Sequence, residues 1–221
     1  MSSEVFGDLQ FMLALGATAI LTLGASYVFY PAFQAAFQDR LEYDTVQLSQ
    51  QNGDEAPTNI LLSLVIPAYN EEERIPIMLQ AAHEYLESKD GRKTLQTLQQ
   101  CSTLLGYEET TAKSPKLAVE WMIVNDGSKD GTDPTVRKEQ DRLQKASSND
   151  DKRYPHVWRL LNLKQNGGKG AAVKAGMTAA KGSFRLMVDA DGATDFGPGL
   201  ERVVTSLSKS IQSSSSSSSS S

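Results

Sequence analysis

The chain has 221 residues, a formal charge of -5 and an isoelectric point near 5.1. That length holds one ordinary domain and an anchor, and that charge excludes a broad polyanion-binding surface, so no nucleic acid is expected as a partner. A lone cysteine, Cys101, excludes an internal disulfide. With only His83 and His156 beside it, a Cys/His zinc site is not expected. A metal would then be held by carboxylates, which favours a hard cation such as Mg²⁺ or Mn²⁺.

From Leu9 to Gln38 no side chain is charged, and the most apolar part runs from Phe11 to Tyr30. Twenty helical residues rise about 30 Å, the thickness of a bilayer's hydrocarbon core. Tyr27, Phe29 and Tyr30 sit near one end, where aromatic rings favour the interface. Residues 9–37 are therefore predicted to form a transmembrane helix with its interfacial flank. The first ten residues carry Glu4 and Asp8 but no Lys or Arg, which favours a retained helix over a cleaved signal peptide. Arg40, just beyond, places the following domain on the cytosolic side by the positive-inside rule.

Residues 38–59 are polar and read as a linker. Ile60–Ala68 is a short apolar run suited to a buried strand, and Pro76 sits in the first turn of a helix reaching about Glu87. Residues 88–117 read as a polar insertion with a short helix around Leu95–Leu105. A second strand spans Val119–Asn125, and Asp133-Pro134 opens a helix to about Lys145. A third strand covers Val157–Leu163, a helix follows over Lys169–Ala180, and a fourth strand covers Phe184–Asp189. Pro198 opens a last helix to about Ile211. The run Ser213–Ser221 has nothing to bury and is expected to be disordered. Strands alternating with helices at this spacing predict an α/β domain over 60–212 with a parallel sheet, whose ligands bind beyond the carboxyl ends of the strands.

Those ends are where the unusual residues cluster. After the first strand, Tyr69 offers a ring face to a base and Asn70 a helix cap, although the stretch Pro67 to Glu71 also suits a plain strand-to-helix turn. After the second strand, Asp126 can accept from a nucleobase N–H or a ribose hydroxyl. Asp-Gly and Ser-x-x-Gly also build turns with no ligand in view. The stretch Asn166-Gly167-Gly168-Lys169-Gly170 lets backbone approach a phosphate at a helix N-terminus, with Lys169 adding a positive charge. It is neither a P-loop nor a dinucleotide fingerprint, because Lys169 is followed by Gly and the third glycine is missing. Asp189 and Asp191, one residue apart after the fourth strand, concentrate negative charge where a divalent cation would relieve it.

VIPAYNEEERIP, VNDGSKDGT, NGGKGAAVKAGM and DADGATDF, in this order, resemble the family 2 glycosyltransferases of the GT-A fold. The resemblance covers roughly residues 60–205. The first two motifs mark the family broadly. The GGKGAAVKAGM run with DADGAT is similar to those members that transfer glucose from UDP-glucose to dolichyl phosphate at the endoplasmic-reticulum membrane. Mannosyl-transferring members are the runner-up. The resemblance implies a Rossmann-like sheet and an inverting displacement assisted by Mg²⁺ or Mn²⁺. It implies that Pro67, Ala68 and Tyr69 line the uracil and ribose pocket with Glu71 close by, and that Asp126 hydrogen-bonds the uracil or ribose. Lys169 would lie near the nucleotide, Asp189 would touch the ribose or the metal shell, and Asp191 would coordinate the metal. The family's pattern continues well beyond this point, whereas here polyserine begins about twenty residues past Asp191. The acceptor half is expected to be absent from this chain, and with it, on a second reading, activity.

Overall fold

A computed structural model of the chain describes residues 43–47, 59–107, 117–146 and 154–217. The predicted membrane segment over 9–37 lies outside them. Among the described residues, no helix is long and apolar enough to cross a membrane.

Among the described residues, ten elements follow one another: β1 (Tyr43–Gln47), β2 (Ile60–Ala68), α1 (Ile75–Glu87), α2 (Lys89–Leu104), β3 (Ala118–Asn125), α3 (Thr132–Ala146), β4 (His156–Leu163), α4 (Lys169–Ala179), β5 (Phe184–Met187) and α5 (Phe196–Ser217). The sheet order is β1-β4-β3-β2-β5, with β1 antiparallel to β4 and every other pair parallel. β2 and β3 are buried at every position, as central strands covered on both faces must be. One face of the sheet joins Leu64 and Ile66 of β2, Trp121 and Ile123 of β3 and Leu160 of β4 to Leu79 of α1 and Leu95 of α2. Register places Trp121 beside Trp158, and the two indoles stack with centroids 4.4 Å apart and planes 6° from parallel.

The other face carries α4, which lies so close that a Cβ on Gly176 would stand 2.5 Å from a Val65 methyl and 2.8 Å from one of Val124. β3 and β4 are added successively on one side of β2, and β5 then returns to the other side. The reversal puts a topological switch point between β2 and β5, and a crevice opens at their carboxyl ends.

Three local expectations change. Residues 43–47 are a strand rather than linker; Tyr43, Thr45 and Val46 are strand-favouring residues that pair in register with Leu163, Leu161 and Leu160. Much of the insertion is a sixteen-residue helix, α2, because the Ser88 hydroxyl accepts from the Gly91 amide as an N-cap and Leu95, Leu98 and Cys101 share a buried face. α5 continues to Ser217, into the serine run expected to be disordered. Extending a nucleated helix adds one bond for each residue fixed. The Ser213 and Ser214 hydroxyls also donate back to the Ser210 carbonyl, each at 2.9 Å.

Candidate functional site

The loop leaving β2 and the loop leaving β3 are laced together. Asn70 adopts a left-handed backbone (φ 55°), a conformation asparagine tolerates better than most residues. Its side-chain oxygen accepts from the Lys129 amide at 2.9 Å, and its own amide donates to the Ser128 hydroxyl at 3.0 Å. The Glu71 amide donates to Thr132 Oγ1 (2.9 Å), the Glu72 amide to Asp130 (3.1 Å), and the Gly131 amide returns a bond to Glu72 (2.8 Å).

The third loop is fastened from the second. Asp126, only 2% exposed, accepts from the Gly167 amide at 2.8 Å, and its own amide donates to the Ala68 carbonyl at 2.8 Å. Gly127 is left-handed (φ 66°), and a Cβ there would meet the Asn166 nitrogen at 2.7 Å; only glycine permits both conformation and contact. In the fourth loop the Asp191 carboxylate accepts from the Ala193 amide at 3.0 Å, which fixes the turn after β5.

These loops enclose a cleft of about 240 Å³ beyond β2 and β5. Every site residue singled out in the sequence lines it: Pro67, Ala68, Tyr69 and Glu71 from the first loop, Asp126 from the second, Lys169 from the head of α4, and Asp189 and Asp191 from the fourth. Asn166 and Gly168 join them from the glycine-rich stretch. Ala172 and Ala190 complete the floor and were not foreseen, since small apolar residues carry no chemical signature. Tyr69 leaves 39% of its surface open to solvent, so a ring face is available to a planar ligand.

The cleft is acidic, with one bound counter-charge. The Lys169 ammonium rests on the Asp189 carboxylate, and this bond, with the carboxylate's charge, holds the lysine above its ordinary pKa. Burial pushes the Glu71 carboxyl up, Arg74 opposes it, and the nearby negative charges of Asp191 and Asp130 add to the rise. Arg74 pairs with Glu71 Oε1 at 2.7 Å, while Oε2 is buried without a hydrogen-bond partner. A buried, uncompensated carboxylate oxygen that feels Asp191 fits an oxygen-ligated divalent cation in this cleft.

A second group of donors was passed over in the sequence. His83 and Glu87 stand four residues apart on α1, and His156 begins β4; one ligand atom from each lies within 4.8 Å of the others. Counting histidines and cysteines excluded a Cys/His site, but a carboxylate completes a trio, and the i,i+4 pair was the available signal.

The family described as "Glycosyl transferase family 2" matches residues 63–210. A dolichyl-phosphate beta-glucosyltransferase of Dictyostelium discoideum is 40% identical over 138 residues, which cover 62% of this chain and 33% of that protein. The human protein of the same name is 36% identical over 146 residues, covering 66% of this chain and 35% of its own length. The chain thus spans about a third of the length of these curated relatives. Among solved structures, S. aureus TarS aligns with a TM-score of 0.37 at 22% identity, covering 60% of this chain and 17% of that one.

Proposed function

The chain belongs to glycosyl transferase family 2, and on that premise we propose that it forms the donor side of a GT-A-type hexosyltransferase that passes glucose from UDP-glucose to dolichyl phosphate with inversion. The observation that carries this reading is the convergence of Tyr69, Glu71, Asp126, Lys169, Asp189 and Asp191 in one cleft at the sheet's switch point. The names of the Dictyostelium and human relatives support glucose as the sugar and dolichyl phosphate as the acceptor.

In this reading Pro67, Ala68 and Tyr69 take the uracil and ribose, and Asp126 accepts a hydrogen bond from one of them. Asp191 holds Mg²⁺ or Mn²⁺, with Asp189 beside it and Glu71 close by. A bound divalent cation supplies charge compensation for the diphosphate. Lys169 adds a positive charge at the head of α4, where backbone amides also point outward. A phosphate oxygen of the acceptor attacks the anomeric carbon and UDP departs with the bonding electrons. Such a nucleophile is anionic near neutral pH, so the reaction needs no strong general base. The apolar segment over 9–37 anchors the chain in the endoplasmic-reticulum membrane, close to a lipid acceptor, with this domain in the cytosol.

Calorimetry of the full chain with UDP-glucose and GDP-mannose, with and without Mn²⁺, tests the proposal. Mn²⁺-dependent binding of UDP-glucose, lost in Asp191→Ala, is expected. Preference for GDP-mannose would assign the chain to a mannosyl branch. No nucleotide binding by the folded chain would end the donor-site reading, and binding without turnover would reduce the chain to an inactive nucleotide-binding fragment.

A further inference from the structure

We propose that His83, Glu87 and His156 form a second metal site, selective for a zinc-class cation and separate from the acidic cleft. The site lies at the other end of the sheet. Glu87 is the last residue of α1 and His156 the first of β4, whereas the cleft gathers where the parallel strands end and α1 begins. A cation there pins the tail of α1 to the head of β4.

Donor chemistry and spacing carry the argument. Two imidazoles and a carboxylate suit Zn²⁺, while the all-oxygen set of the cleft suits Mg²⁺ or Mn²⁺. His83 and Glu87 are one helical turn apart and share a face of α1. His156 Nε2 stands 3.5 Å from Glu87 Oε1, at the limit of a hydrogen bond. Two donors each about 2.1 Å from a shared tetrahedral cation are separated by roughly 3.4 Å, so this pair already has the spacing of co-ligands. The trio is largely withdrawn from water, His83 being 6% exposed and the side chains of His156 and Glu87 9% and 15%. A fourth position is left for water.

Trp121 reports on the site. Its Nε1–H donates to His156 Nδ1 at 3.3 Å, which leaves the ring proton of a neutral imidazole on Nε2, toward Glu87. A cation at Nε2 shifts that proton to Nδ1 and ends the Trp121 bond. A metal–imidazole bond outweighs one long neutral hydrogen bond, so occupancy wins and the indole's surroundings change with it.

The test is a titration of the untagged full chain, stripped with chelator, first with Co²⁺ and then with Zn²⁺. Expected are the visible bands of four-coordinate Co²⁺, their loss on adding Zn²⁺, and a change in tryptophan emission. Glu87→Gln and His83→Gln should each weaken Zn²⁺ binding roughly tenfold or more with unchanged circular dichroism, while Asp191→Asn leaves it intact. X-ray absorption of the zinc-loaded wild-type chain needs no variant to fold. Both histidines of the chain belong to this trio, so imidazole scattering identifies the site. A folded chain without the Co²⁺ spectrum, a zinc shell without imidazole, or unchanged affinity in both variants overturns the proposal.

Discussion

The Asp126 carboxylate at the end of β3 accepts a hydrogen bond from the Gly167 amide at 2.8 Å, so the second loop of the cleft holds the third in place. Asp126→Ala breaks this tie and removes a cleft-lining acceptor together. Unfolding in urea should show a loss of about 1 kcal/mol, the ordinary worth of one such bond where water can take over an exposed amide. UDP affinity should fall by roughly tenfold or more. Asp126→Asn keeps an oxygen for Gly167, so its stability should match wild type while nucleotide binding still drops. Equal affinity in all three proteins would remove Asp126 from the ligand's surroundings.

Lys169 and Asp189 neutralise each other across the mouth of the cleft, and the lysine is well exposed. Its raised pKa adds stability that is present below the unfolded lysine's value and is lost as pH climbs through the higher folded one, a window above about 10. Lys169→Met should therefore lower the melting temperature slightly near neutral pH, a small effect because the pair is exposed, and the difference from wild type should shrink above about pH 10. Mn²⁺ affinity should rise as this neighbouring positive charge is removed, while UDP binding at saturating Mn²⁺ weakens. Mn²⁺ titration followed by electron paramagnetic resonance checks the first sign and calorimetry the second.

Much of this cleft was legible because strand ends and loops carry distinctive residues. Asp126, Asp189 and Asp191 each follow an apolar run, and an acidic residue there has no packing reason to exist. The lacing between loops was not legible. Asn70 and Ser128, or Glu72 and Gly131, are more than fifty positions apart, and no local pattern says that such residues meet. β1 was hidden for a similar reason, since a five-residue edge strand gains its order from Arg159 to Leu163 of β4 rather than from its own polar sequence. α2 was under-read because its polar face dominates the composition of 88–107; its N-cap and its apolar spacing were the better guides.

Glu71 gives the cleft a pH dependence. Its carboxyl sits above its ordinary 4.5 chiefly because it is buried, with Asp191 and Asp130 adding repulsion. A carboxyl raised on folding favours the native state while protonated, and that advantage is lost as pH rises past 4.5 through the folded value. Glu71→Gln should thus raise the melting temperature slightly at pH near 7 in chelator, with the gain disappearing below about pH 4.5. A divalent cation should reverse the order at neutral pH by stabilising the wild type more than the variant, which has lost one carboxylate beside the cation. Melts across pH, with and without Mn²⁺, decide; a variant less stable than wild type in chelator at neutral pH contradicts the assignment.

Gly176 sets how closely α4 approaches the sheet. Replacing a helical glycine by alanine gains about 1 kcal/mol of helix propensity. Here the new methyl meets Val65 at 2.5 Å and Val124 at 2.8 Å, and overpacking of that kind costs about 1–3 kcal/mol. The clash should win, so Gly176→Ala lowers stability and, by lifting the helix that carries Lys169, weakens UDP binding. Adding Val65→Ala opens space for the methyl and should recover part of both losses, a non-additivity that a double-mutant cycle measures directly.

The sheet's far end is held by a fully buried carboxylate. Glu120 on β3 accepts from Ser63 Oγ of β2 at 2.5 Å, from Arg159 Nη1 of β4 at 2.7 Å and from the Lys181 amide at 2.9 Å. Ser63 in turn accepts from the Gly182 amide at 2.8 Å, so the turn that delivers β5, and Asp189 beyond it, hangs on this cluster. Glu120→Ala strands a guanidinium whose side chain is only 13% exposed, and removing one partner of a buried pair costs about 3–5 kcal/mol. Ser63→Ala leaves no charge unpaired but breaks two buried hydrogen bonds, one of them to the carboxylate, and should cost about 2–3 kcal/mol. Replacing both charges, as in Glu120→Met with Arg159→Leu, removes the stranded charge as well as the pair. It should restore most of the stability lost in Glu120→Ala, unless Lys181 and Gly182 need the carboxylate to form their turn. Urea denaturation separates the two cases: recovery means the pair acts mainly by avoiding an uncompensated charge, and persistent loss means the carboxylate is the anchor of β5.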